Sequence, residues 1–185
     1  MLLQDARDYQ ILFLSLFLFL GISTRDWTLR SDLMLVVILS CLLTQLLLSS
    51  FVTYVNTYNK HKLPPNHAYS TLYHGSVSSL RSAAITSLGL CLLLRGNDYT
   101  TMAIAGCLAI ASKFIFRFRG KHFFNPANFG IISALIINND AWVSPGQWGT
   151  DWWYLLLFAG TGGMILKRVG RWDTSAAFFV AYTGL

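Results

Sequence analysis

Residues 119–130 read Arg119-Gly-Lys-His-Phe-Phe-Asn-Pro-Ala-Asn-Phe-Gly130, and how this stretch folds decides the architecture. Pro126 has no N–H to lose in a first helical turn, and Asn125 before it is a good N-cap. The pattern predicts a helix over 126–137, about 18 Å long and too short to cross a ~30 Å hydrocarbon core. From Lys121 to Asn125 an extended chain covers roughly 15 Å at ~3.3 Å per residue. Together the two pieces reach about 33 Å, so a discontinuous span wound only from Asn125, deep in the bilayer, is expected. Such a break is tolerated inside protein or beside a polar cavity, and half-helices near the midplane recur in ion and substrate sites. A surface cap after an ordinary loop is the alternative for Asn125-Pro126.

The rest of the chain calls for lipid as solvent. Of 185 residues, 54% belong to the apolar and aromatic set and only 12% are charged, about half the usual share. All 8 acids are Asp. Disordered chains, nucleic-acid modules and disulfide scaffolds are excluded on this composition. Apolar segments fall at 9–22, 33–55, 77–94, 99–118, 126–137 and 152–166, with a seventh over 174–185. The expected fold is an all-α polytopic membrane protein, a single membrane domain over 1–185 with six to seven segments including half-helices. Segment 9–22 is short, and Arg7 is offset by Asp5 and Asp8 with no small-residue cleavage site following, so it is expected as a retained first helix. Cys41, Cys91 and Cys107 lie far apart in apolar runs without metal spacing and read as packing residues.

Basic residues set the direction. Arg117, Arg119 and Lys121 follow one segment and Lys167, Arg168 and Arg171 another, while the loop 138–151 between them has two Asp and no Lys or Arg. Placing both clusters in the cytoplasm puts Arg7, Lys60, Lys62 and Lys113 on the same side. Arg25, Arg30 and Arg95 fall outside, and Arg81 near a mouth. The six tryptophans fall at segment edges, as interfacial anchors do. An inner-membrane, multi-pass protein with a cytoplasmic N-terminus is expected, with membrane lipid and no nucleic acid as its surroundings. The net charge of +6 is then a topology signal.

Candidate half-helix and ion-path residues are Arg81, Thr86, Lys121, Asn125, Pro126 and Asn128. Segment 77–94, preceded by Gly75 and rich in Ser and Thr, is the expected partner of the half-helix. Arg81 at its start calls for a carboxylate, backbone carbonyls or the interface; a snorkelling side chain is the alternative. His61, His67 and His74 read as loop histidines without a zinc pattern. Ala105 with Ala109, and Gly160 with Gly162 and Gly163, offer small faces for close helix approach. No nucleotide loop, catalytic triad or glycosidase-type carboxylate pair occurs, so no catalytic residue and no metal ligand is assigned.

Three stretches together resemble one family. Gly120-Lys-His-Phe-Phe-Asn-Pro-Ala127 is similar to the G-x-x-x-F-N-P-A signature of the NqrB/RnfD membrane subunits, found in the sodium-pumping NADH:quinone oxidoreductase and the Rnf electron-transport complex. Ser78-Ser-Leu-Arg-Ser-Ala-Ala-Ile-Thr-Ser-Leu88 is similar to its S-x-L-R-D-x-S-A-x-V-T-x-L segment, and 152–172, with Gly162-Gly163 and Arg171-Trp172, to its next helix and basic turn. The likeness runs in order from about Ser76 to the last residue.

The resemblance implies an integral subunit that couples electron transfer to cation movement, with other subunits or a redox protein as partners. It also implies a urea- and ammonium-channel-like fold, of which this chain would hold the first inverted repeat and the start of the second. FMN or riboflavin is the implied cofactor, bound non-covalently. Covalent FMN is not expected, because the threonine-bearing D-G-x-[ST]-x-A-T-like stretch is missing from 138–151. Ser82 stands where the family usually has Asp, and the sequence stops at Tyr182-Thr-Gly-Leu185 inside an apolar segment. A fragment, or a second half from another chain, is therefore expected. A channel-like solute or ion protein without redox chemistry, and a truncated inactive remnant, are the competing expectations.

Overall fold

Local signals mark several helix starts, Pro65 and Asn125-Pro126 among them. The computed structural model describes residues 5–25, 30–59, 65–119, 121–144, 148–170 and 172–184. It is 81% helical, with seven helices among the described residues. They are α1 (Ala6–Arg25), α2 (Ser31–Asn59), α3 (Pro65–Leu93), α4 (Tyr99–Ile115), α5 (Pro126–Ile137), α6 (Trp152–Val169) and α7 (Trp172–Thr183). Four two-residue strands tie the ends: β1 (Leu94–Arg95), β2 (Arg117–Phe118), β3 (Lys121–His122) and β4 (Trp142–Val143). β1 pairs antiparallel with β4, and β2 with β3.

Three expectations change. The short first segment is a helix of 20 residues, long enough to cross a bilayer. The segment expected over 77–94 is the second half of one unbroken helix that begins at Pro65, where proline suits the first turn. It is therefore no half-helix, Gly75 starts nothing, and His67 and His74 lie on α3 rather than in a loop. His61, Lys60 and Lys62 lie outside the described residues. The third change is at 99–118: α4 ends at Ile115, and Arg117–Phe118 turn into the β2–β3 hairpin, with Arg119 at φ 50 in its turn. Helix α5 occupies 126–137, as the Asn125-Pro126 signal predicts. Helix α6 runs on to Val169, where Gly170 takes the left-handed conformation that closes a helix (φ 69).

The core is the junction of α2, α3, α4 and α5, with Val37, Cys41, Leu90, Cys91, Ala105, Ile110 and Ala134 fully buried or nearly so. Small residues let α4 approach both neighbours. A Cβ on Gly106 would meet Ser40, and one on Gly130 would lie 2.6 Å from the Ala105 carbonyl oxygen and 2.7 Å from Ala109 Cβ. The close-approach expectation thus holds for Ala105 and Ala109, whereas Gly160 and Gly162 face open space. Cys41 and Cys91 are buried, but Cys107 is exposed.

The outer faces are apolar. Leu35, Leu39, Leu43, Leu47 and Phe51 of α2 recur every four residues, and each is more than half exposed. That stripe is about 24 Å long at 1.5 Å per residue. Helix α1 and the Ser31–Val55 part of α2 are long and apolar enough to cross a membrane. Only 6% and 17% of their apolar windows are buried, whereas a core helix of a water-soluble domain would be mostly buried.

Charge divides the bundle into two ends. One carries Arg7, Arg81, Lys113, Arg117 and Arg119, with the Arg168 guanidinium 4.5 Å over the Tyr9 ring. At the other, Arg25 pairs with Asp151, and Arg30 bonds Asp32 and the Asn97 carbonyl.

Candidate functional site

The Asn125-Pro126 corner is built by its own sequence. The Asn125 side chain accepts from the N–H groups of Ala127 (3.0 Å) and Asn128 (3.4 Å), and the Asn125 carbonyl accepts from Phe129 N–H (3.0 Å). Pro126 has no N–H, so the first turn of α5 is closed by its own cap and keeps no spare backbone donor. What remains at this tip is the helix dipole, equivalent to roughly half a positive charge.

Packing fixes the level of this corner. Helices α4 and α5 run antiparallel, with Gly130 against Ala105 and Ala109 and with Asn138 Nδ2 donating to Thr101 Oγ1 at 2.8 Å. Counting 1.5 Å per residue from Gly130 puts Asn125 roughly level with Ser112, about one turn short of the end of α4. The start of α5 is therefore recessed but nearer the basic end than the middle of the bundle. The hairpin explains this: it carries the chain out and back between Arg117 and His122, so only residues 123–125 lead inward. That non-helical lead is held by rings, with Phe116 packing edge-on against Phe124 at 5.4 Å and tilted against Phe129 at 5.3 Å.

Beside the corner lies a cavity of about 440 Å³ between α1, α3, β3 and α5. Thr86, Asn125, Pro126 and Asn128, four of the six residues singled out by sequence, line it. Arg81 does not. It bridges to α1, with Nε 3.2 Å from Asp8 Oδ1 and Nη1 3.6 Å from Asp5 Oδ2, which resolves its partner as carboxylate. Lys121 sits on β3 opposite Phe118.

Several lining residues escaped the sequence reading. Arg7 and Gln10 come from α1, Ser82 from α3 and His122 from β3. Behind Ser82 stands Lys113 of α4, only 7% exposed, whose Nζ donates to the Ser82 carbonyl (3.1 Å) and to Ser82 Oγ (3.2 Å). Desolvation first, then the charges of Lys113 and Arg117, holds the His122 pKa below its usual 6.5, so the imidazole is neutral at pH 7. Its place in an apolar run gives no cue to Lys113, whose role follows from a facing serine on another helix.

At the opposite end a second cavity of about 360 Å³ is walled by Met34, Leu94, Met102 and Trp142, with Arg30 and Arg95 at its edge. Arg95 Nη1 donates to the carbonyls of Cys91 (2.9 Å) and Leu94 (2.8 Å). Nearby, Asp140 accepts from the backbone N–H groups of Asn97 (2.8 Å) and Asp98 (2.9 Å) and from Asn97 Nδ2 (3.1 Å). Asp98, the N-cap residue of α4, makes no side-chain cap, so a carboxylate from the far side of α5 stabilises that start instead. These bonds hold the Asp140 carboxyl below its usual value, the Asp98 N–H most of all. Among the described residues no three His, Cys or Asp side chains group as a metal site.

Compared with known protein families, with curated proteins and with solved structures, the chain matches none.

Proposed function

We propose that this chain is a polytopic membrane protein of six to seven segments with its basic end in the cytoplasm, acting as an NqrB/RnfD-like subunit of an electron-transport complex. The exposed apolar belt and the segregation of basic residues to one end support the membrane part. The three sequence stretches that resemble the family support the redox part. The single observation that carries the proposal is the capped start of α5 beside a polar cavity, which lies about one turn inward of the basic end and not at the depth expected of the F-N-P-A stretch. Asp5 and Asp8 supply the carboxylate partners of Arg81 that Ser82 does not, so the family's arginine stays neutralised from another helix.

No threonine in 138–151 has the context for covalent FMN. The residues that fit a non-covalent flavin are those of the second cavity, where Trp142, Met34 and Met102 offer apolar walls to a planar ring and Arg30 lies at the rim. A flavin there would supply one- or two-electron carriage. The test is the absorbance and fluorescence of supernatants after precipitating protein purified in mild detergent, with a search for co-purifying redox proteins. Flavin or a redox partner is expected. Preparations that consistently lack both would overturn the electron-transport assignment.

One observation favours a second assignment, a channel-like solute protein without redox chemistry. Among the described residues no carboxylate lines the cavity at α5, so a coupled cation would find no acid there. Solute flux in proteoliposomes without any electron donor would support this alternative.

A further inference from the structure

The cavity beside α5 lies next to a buried cation. Arg7 lines it, Lys113 stands one serine behind its wall, and Arg81 lies alongside, bridged to Asp5 and Asp8. No carboxylate is among the described lining residues, and the positive end of α5 borders the same space. Lys113 is that buried cation. The residue is only 7% exposed, and the hydrogen-bond partners of its ammonium are the two oxygens of Ser82, both neutral; it forms no ion pair among the described residues. An ammonium has three protons, so two acceptors leave one over. A buried charge without a counter-ion is expensive, and a bound anion lowers that cost.

The route from Lys113 to the cavity is Ser82. Its hydroxyl oxygen accepts from Lys113 Nζ, which leaves its own proton to donate into the space it lines. A donor polarised by an ammonium is stronger than a lone hydroxyl. Asn128, the neutral His122 and Arg7 add N–H donors around the same space. Thr86 is spent, since its hydroxyl donates to the Ser82 carbonyl at 2.9 Å. Several directional N–H and O–H donors, with no acid among the lining residues, match a tetrahedral oxyanion better than a spherical halide.

We propose that the cavity between α1, α3 and the start of α5 binds a phosphate-type oxyanion, with Ser82, backed by Lys113, and Asn128 as its donors. The site is independent of the electron-transport assignment, which gives this cavity no ligand, so a failed flavin test leaves it standing. The phosphate could be free or carried on a lipid head group, and the experiment has an arm for each. Full-length protein in neutral detergent is unfolded thermally while orthophosphate is titrated at fixed sodium and ionic strength. In parallel micelles phosphatidylglycerol is compared with phosphatidylcholine.

The expected result is a saturable rise in Tm with orthophosphate, or with phosphatidylglycerol alone if the anion is a lipid head group. Lys113→Gln and Asn128→Asp should each weaken the apparent affinity by about tenfold or more, as loss of a charge-assisted bond or an added like charge does. Arg25→Gln at the opposite end, which lines neither cavity, should titrate like the parent. Should Lys113→Gln fail to fold, Asn128→Asp at an exposed position carries the test by itself. A Tm indifferent to both probes, or Asn128→Asp binding as tightly as the parent, would overturn the proposal.

Discussion

Gly130→Ala tests the packing that recesses α5. The added methyl carbon would sit 2.6 Å from the Ala105 carbonyl oxygen and 2.7 Å from Ala109 Cβ, against ordinary contact from 3.4 Å. Neither neighbour can swing away, because one is backbone and the other is a Cβ fixed to it. Helices α4 and α5 must therefore part by about 0.8 Å, enough to forfeit a quarter to a half of the dispersion wells along the seam. Overpacking of this kind costs about 1–3 kcal/mol. Separation also strains the Asn138–Thr101 bond, worth about 1 kcal/mol. Against this, alanine gains about 1 kcal/mol of helix propensity over glycine. The net loss is about 1–3 kcal/mol, which lowers Tm by roughly 2–12 °C in a chain of this size. Gly160→Ala is the matched control, since nothing lies within 4 Å of its added carbon. It keeps the propensity gain without the clash, so its Tm should stay level or rise. Thermal unfolding in detergent, followed by circular dichroism, reads both. Gly130→Ala matching or exceeding the parent while Gly160→Ala behaves as expected would refute the close α4–α5 seam.

Three further outcomes can be measured in the same way. Asn125→Ala removes the acceptor for two N–H groups and should cost about 1 kcal/mol, whereas Asn125→Asp should hold the parent Tm or exceed it. The Asp140 carboxyl titrates below its usual range when folded, so its contribution is complete above the unfolded value near 3.8 and disappears as pH falls through the lower folded value. Between pH 6 and 3 the parent should thus lose Tm more steeply than Asp140→Asn; parallel slopes would remove Asp140 as the carboxylate that holds the start of α4. Among the described residues Gln45 Oε1, buried on α2, has no hydrogen-bond partner. Replacing it by leucine should leave stability equal or raise it by about 1 kcal/mol, and a clear drop in Tm would show that the amide is satisfied after all.

The segments that could be read along the chain are those whose signals are local. Asn125 and Pro126 carry their own cap and their own turn, so α5 starts where they say. Helix α2 is apolar round its whole circumference, so its suitability for lipid is legible along the chain, whereas the face left exposed is set by its neighbours. The division of basic residues between two ends is likewise a matter of order along the sequence. Two errors had local causes too. Pro65 opens a helix that runs through Gly75, because one glycine costs only about 1 kcal/mol and packing against α1 and α2 outweighs it. The basic residues after α4 predict a straight approach to Asn125, whereas the Arg117–His122 and Phe118–Lys121 pairs fold the chain back.

What sequence by itself determined is which residues suit lipid, where α5 begins and which end is basic, since each depends on composition or on a cap within a few residues. Tertiary structure alone decided that Arg81 meets Asp5 and Asp8, that Lys113 meets Ser82, and that Asp140 serves the start of α4. Those partners are tens of residues apart, and their meeting depends on crossing positions of helices, which no local propensity encodes. The depth of Asn125 belongs to the same class, because it is set by how closely Gly130 lets α5 slide along α4.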